Sequence, residues 1–119
     1  MVIQTAARLL GVLLLAAITF FSLSPASFRP VTVVGHAPEH FLVHLLLGLT
    51  FGIGYARRWG MQAAGFVAFA GAIELAQLFV PGRHARLSDF LVDAGSAYLG
   101  VGLIYAGTFI RSAVARRQQ

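Results

Sequence analysis

No cysteine and no lysine occurs anywhere in the chain. Without cysteine there is neither a disulfide framework nor a thiolate metal site. Charge of either sign is scarce: nine bases, all arginine, and four acids serve 119 residues, or 11% charged against about 25% in soluble domains. So few charged groups cannot supply the polar skin of a water-soluble core, and with 58% apolar residues lipid is the more natural solvent. The arginines sit beside hydrophobic runs and not in a block, so the net charge of +5 reads as a membrane signal and not as nucleic-acid binding. Glycine-rich phosphate loops, a serine-nucleophile motif, a His-Glu-x-x-His motif, internal repeats and low-complexity tracts are also missing.

What the sequence does hold is four apolar runs, at residues 6–23, 41–56, 61–80 and 90–110. A spanning helix needs about 20 residues, so the second run is short unless its polar start around His40 is also helical and packed by its neighbours. Arg8, the apolar run after it and the small residues Ser24 to Ser27 imitate a signal peptide. A retained first span is favoured, because its removal leaves three spans with a poorer charge asymmetry. On alternate sides of the spans, Arg8, Arg57, Arg58, Arg111, Arg116 and Arg117 stand without an acid, whereas Arg29, Arg83 and Arg86 are offset by Glu39 and Asp89. The positive-inside rule then predicts an all-α, four-helix transmembrane bundle, one domain over residues 1–119, with both termini cytoplasmic.

That topology gathers the unusual residues. All four acids (Glu39, Glu74, Asp89, Asp93) and all four histidines (His36, His40, His44, His84) fall in or beside the two outward loops. His40 and His44 are one helical turn apart and share a face with Gly48 and Gly52, a small-xxx-small pattern that invites close approach by another helix or a second copy. Asp89, Asp93, Ala97 and Gly100 repeat the logic in the fourth span, and Ala70 and Gly71 lie one turn before Glu74 in the third. A carboxylate at membrane depth costs about 2.5–3.5 kcal/mol unless partnered. Arg83, beyond Pro81-Gly82, is the expected counter-ion for Glu74, which shares a face with Gln77. Ser88 is expected to cap the fourth helix.

The pattern Glu74-x-x-Gln77-x-x-x-Pro81-x-Arg83, followed by Ser88-Asp89-x-x-x-Asp93-x-Gly95 and Gly100, resembles the VanZ-like family of small bacterial membrane proteins. The likeness reaches back to His40-Phe41 and covers about residues 37–103. It departs at His36 and Ala37, where Asp and Lys are common, at His44, where an aromatic residue is frequent, and at Asp93, where Asn is usual. The resemblance implies a protein of the bacterial cell membrane, its polar site toward the extracytoplasmic face, from a family named for a factor associated with teicoplanin resistance. Carried over by position are His40, Glu74, Gln77, Arg83, Asp89 and Asp93.

The leading functional expectation is a site that binds or modifies the polar head of an envelope lipid or lipid-linked cell-wall precursor. Glu74, Asp89 and His40 would be its acid–base groups, and Gln77, Arg83, Arg86, Asp93 and His44 its ligand-binding groups. The competing readings are a non-catalytic accessory factor whose polar cluster is a structural clasp, and a small transporter. His40, His44 and Glu74 have acceptable metal-ligand types, but histidines near a membrane interface are commonly hydrogen-bonded to acids, and no metal or other cofactor is assigned. Phe41, Phe66, Phe69, Phe79, Phe90 and Trp59 are expected to face lipid or the interface. The expected partners are membrane lipids, with no nucleic acid and with oligomerisation through the Gly48/Gly52 face.

Overall fold

Apolar runs without an interior proline leave a backbone in lipid one way to satisfy its own polar groups, and each of the four runs is helical. The computed structural model describes residues 1–28, 33, 35–56 and 58–118, so that Arg29 and Arg57, both used in the charge count, lie outside the described residues. The helices are α1 (Val2–Leu23), α2 (His36–Gly54), α3 (Trp59–Gln77) and α4 (Leu87–Arg117), with a short 3₁₀ turn at Ala26–Phe28. All four are long and apolar enough to cross a membrane.

The helix ends differ from the apolar runs for local reasons. α2 begins at His36 and so reaches 19 residues, which resolves the shortness of the second run. Pro38 sits in its first turn, where a missing N–H costs no hydrogen bond. α3 stops at Gln77 and not at residue 80, because proline disfavours helix in the residue before it. The chain then turns over residues 80–83: the Val80 carbonyl accepts the Arg83 N–H at 3.1 Å, with Pro81 at the second position and Gly82 at φ 75° at the third, the type II pattern. Ser88 does not cap α4. The N-cap position is Arg86, and the Ser88 hydroxyl donates to Asp89 Oδ1 at 3.3 Å. At 31 residues, α4 is about 46 Å long at 1.5 Å per residue, longer than the roughly 30 Å hydrocarbon layer. Its last turn carries Arg116 and Arg117, which suit the negative end of the helix dipole.

The most extensive packing is between α2 and α4, and glycine makes it possible. A Cβ on Gly48 would collide with the Ala97 backbone; one on Gly100 would strike the Leu45 carbonyl and come within 2.7 Å of Leu49 N. Leu47 and Ala97 meet there fully buried, and Ile18, Phe66 and Val101 complete the core. Two expectations change here. Phe66 does not face lipid but stacks edge-on against Phe51, centroids 5.4 Å apart. The Gly48/Gly52 face is filled by α4 of the same chain, Gly52 lying against Ile104, so it is not open to a second copy.

α1 packs mainly on α2. Arg8 Nε donates to the Gly54 carbonyl at 2.7 Å and its guanidinium lies 5.0 Å from the Tyr55 ring centroid, tying α1 to the C-terminal end of α2. Gln62 closes the same corner by donating to the Tyr55 carbonyl at 2.7 Å. The outer surface is apolar: Leu13, Phe20, Leu75, Phe79 and Phe109 are all exposed, as lipid-facing side chains of a membrane bundle must be.

Candidate functional site

The end of the bundle opposite the Gly54 corner collects the C-terminal ends of α1 and α3 and the N-terminal ends of α2 and α4. His36, His40 and His44 follow one another at four-residue spacing down α2, and Asp89 and Asp93 do so on α4. Because both helices keep the same spacing and pack side by side, the two rows interlock. His36 Nε2 lies 2.9 Å from Asp89 Oδ2, His40 Nδ1 2.8 Å from Asp93 Oδ1, and His44 Nδ1 3.2 Å from the same Asp93 oxygen. His44 Nδ1 is also 2.9 Å from the His40 carbonyl, an acceptor that fixes the proton on Nδ1 and leaves the lone pair on Nε2. The ladder runs inward from the surface: side-chain exposure falls from 34% at His36 to 16% at His40 and 4% at His44, and Asp93 is 2% exposed.

Glu74 enters from α3 and is buried. Its Oε2 accepts the Arg86 backbone N–H at 2.7 Å, so a carboxylate from one helix supplies the acceptor at the start of the next. Its Oε1 is buried with no hydrogen-bond partner, and the carboxyl as a whole interacts electrostatically with Asp89, Asp93 and His40. Arg83 is therefore not the counter-ion the sequence pointed to. Its Nε donates to the Ser24 carbonyl at 3.2 Å and its NH2 to the Phe21 carbonyl at 2.5 Å, while Gln77 Nε2 donates to the Ser22 carbonyl at 3.2 Å. The two side chains satisfy carbonyls that α1 cannot pair within itself at its C-terminal end.

Beside the ladder lies a cavity of about 400 Å³ bordered by Ala26, His36, Gln77, Gly82, Arg83, His84, Arg86 and Asp89. Two smaller hollows elsewhere, of about 300 and 250 Å³, are apolar and are lined by Phe51, Phe66 and Phe69 or by Trp59, Tyr98 and Tyr105; no histidine or acid borders either. All eight residues singled out from the sequence thus fall at one end of the bundle, in two tiers. Gln77, Arg83, Arg86 and Asp89 border the cavity, and His40, His44, Glu74 and Asp93 lie at or beneath the ladder.

Two residues at the cavity are not among those the sequence assigns a role. His36 stands ahead of the apolar run, although its spacing to His40 and His44, matched by Asp89 and Asp93, is a usable signal. His84 borders the cavity but sits in a turn with no periodicity to mark it. No family model, curated protein or solved structure matches the chain.

Proposed function

We propose that the chain is a VanZ-like protein of the bacterial cell membrane, its polar end toward the extracytoplasmic face, that holds the phosphate- or sugar-bearing head of an envelope lipid or lipid-linked cell-wall precursor. The observation that carries this reading is the polar cavity at the end of the bundle, where two arginines and two histidines face one carboxylate, Asp89. Its volume of about 400 Å³ suits a small polar group. Arginine matches phosphate oxygens with a planar fork of donors, and a cavity at a helix-bundle end is open to headgroups as well as to water. Where such a head is modified and not only held, Glu74 is the acid–base group of choice. One of its oxygens is pinned by the Arg86 N–H and the other is left to exchange a proton. His40 and Asp89 are the neighbouring proton partners. Altered glycopeptide susceptibility would be the cellular consequence.

The test compares lipids that co-purify with the wild-type chain and with Arg86→Ala. Arg86 is the better choice over Arg83, whose side chain also anchors α1. Depletion of one anionic lipid class in the variant is expected; identical lipid profiles would end the headgroup reading. Glu74→Gln, expressed to the wild-type level, is expected to abolish any change in glycopeptide susceptibility, and retained function removes Glu74 from an acid–base role.

A second reading has its own support. Arg83 and Gln77 hold carbonyls of α1, so part of the cluster is a clasp, and an accessory protein would need no more. Arg83 and Glu74 bond different partners, so on the clasp reading Arg83→Ala and Glu74→Ala should each destabilise the fold and their effects should add, with no rescue in the pair.

A further inference from the structure

We propose that the inner rungs of the ladder form a binding site for one divalent transition-metal ion of the zinc type, with His40, His44 and Asp93 as ligands. One ring nitrogen from each histidine and one Asp93 oxygen lie within 4.8 Å of one another. A zinc ion with bonds of about 2.0–2.1 Å to nitrogen holds tetrahedral ligands roughly 3.3 Å apart, so small side-chain rotations bring the three atoms to bonding distance. Two imidazoles and a carboxylate are the ligand types of a three-ligand zinc site that keeps a position open.

The surroundings fit that ligand set. His44 Nδ1 lies 2.9 Å from the His40 carbonyl and 3.2 Å from Asp93 Oδ1, so the imidazole is held beside the carboxylate, and coordination through this nitrogen exchanges the bond to the carbonyl for the metal and moves the ring proton to Nε2. Glu74 is buried, its Oε1 has no hydrogen-bond partner, and its carboxyl interacts electrostatically with His40 and Asp93, so a further polar acceptor belongs to the surroundings of the ligand set. Charge gives the third reason. Asp93 and Glu74 are buried acids, and the groups seen to bond them are the His40 and His44 imidazoles for Asp93 and a backbone N–H of Arg86 for Glu74. A buried charge needs compensation, which a dipositive ion at Asp93 supplies. The third ligand is therefore Asp93, which comes from the facing helix one turn below Asp89, and not Glu74.

The metal site shares His40 and Glu74 with the acid–base chemistry proposed above but does not rest on it, because metal uptake can be read without lipid or activity. Full-length protein purified in detergent, stripped with a chelator and passed free of it, is titrated with Co²⁺ and followed by its visible ligand-field bands, then with Zn²⁺ by calorimetry. One Co²⁺ per chain, with bands of a low-coordinate nitrogen and oxygen site and displacement by Zn²⁺, is the expected result. His44→Ala and Asp93→Asn should each weaken binding by at least about tenfold, while His84→Ala should leave it unchanged. His44→Gln serves if His44→Ala does not fold. A folded wild-type chain that takes up no cobalt overturns the proposal. So does uptake that survives in both ligand variants or disappears in His84→Ala, because either places the ion elsewhere.

Discussion

Glu74 is the residue whose two oxygens do different things. Oε2 accepts the Arg86 N–H at 2.7 Å and Oε1 has no partner. Removing the acceptor and keeping it should therefore have separable effects. Glu74→Ala removes the carboxylate acceptor of a part-buried hydrogen bond at the start of α4, which costs about 1–3 kcal/mol, and a lower midpoint of thermal denaturation in detergent is expected. Glu74→Gln keeps a carbonyl oxygen for the same N–H and should stay within about 1 kcal/mol of wild type while losing the ionisable group. Circular dichroism melts of the two variants check this. Equal melting points for Glu74→Ala and wild type would mean that the Arg86 contact does not stabilise α4. The residues of the ladder were only partly legible in the sequence. The polar tier could be read because charge in an apolar chain is conspicuous, and helical spacing put His40 and His44 on one face. The partner of each side chain could not. Arg83 bonds the carbonyls of Phe21 and Ser24, and a backbone carbonyl carries no residue identity by which a sequence could announce it.

Among the elements, α2 and α4 form the seam on which everything else hangs, and it is the part of the fold the sequence described best. Gly48, Gly52, Ala97 and Gly100 mark one small face on each helix, and these faces meet. What the spacing could not say is that the two faces belong to one chain, because a small-xxx-small stripe fits a neighbour of either origin. The seam makes a differential prediction. Gly100→Ala and Gly48→Ala each place a Cβ against backbone that cannot step aside, and should destabilise by about 1–3 kcal/mol. Gly102→Ala and Gly107→Ala open onto empty space in the same helix α4, and should be neutral or stabilising by up to about 1 kcal/mol, since alanine gives up less backbone entropy in a helix. Retention of monodisperse protein on heating in detergent ranks the four. The Gly48 and Gly100 changes should also disturb metal uptake, because the histidines and aspartates ride on the helices that the glycines bring together.

For the whole molecule, orientation follows from the number of crossings and the distribution of charge. Four spanning helices return the chain to the side on which it began, and the polar end, with Glu74, Asp89, Asp93 and the histidines, lies opposite the end that carries Arg111, Arg116 and Arg117. By the positive-inside rule the arginine-rich end is expected to be cytoplasmic, and the ladder and its cavity would then open outward. The absence of cysteine turns this into a clean measurement, because any introduced thiol is the only one in the chain. Ser88 and Gln118 are both exposed, near opposite ends of α4. Ser88→Cys should react with a membrane-impermeant maleimide on intact cells, and Gln118→Cys only after permeabilisation. Labelling of Gln118→Cys alone on intact cells would invert the bundle, and the polar cavity would then meet cytoplasmic ligands and not envelope headgroups. Labelling of both from outside is incompatible with α4 crossing the membrane in one orientation. A single helix 31 residues long cannot have both of its ends on one face unless it lies along the surface.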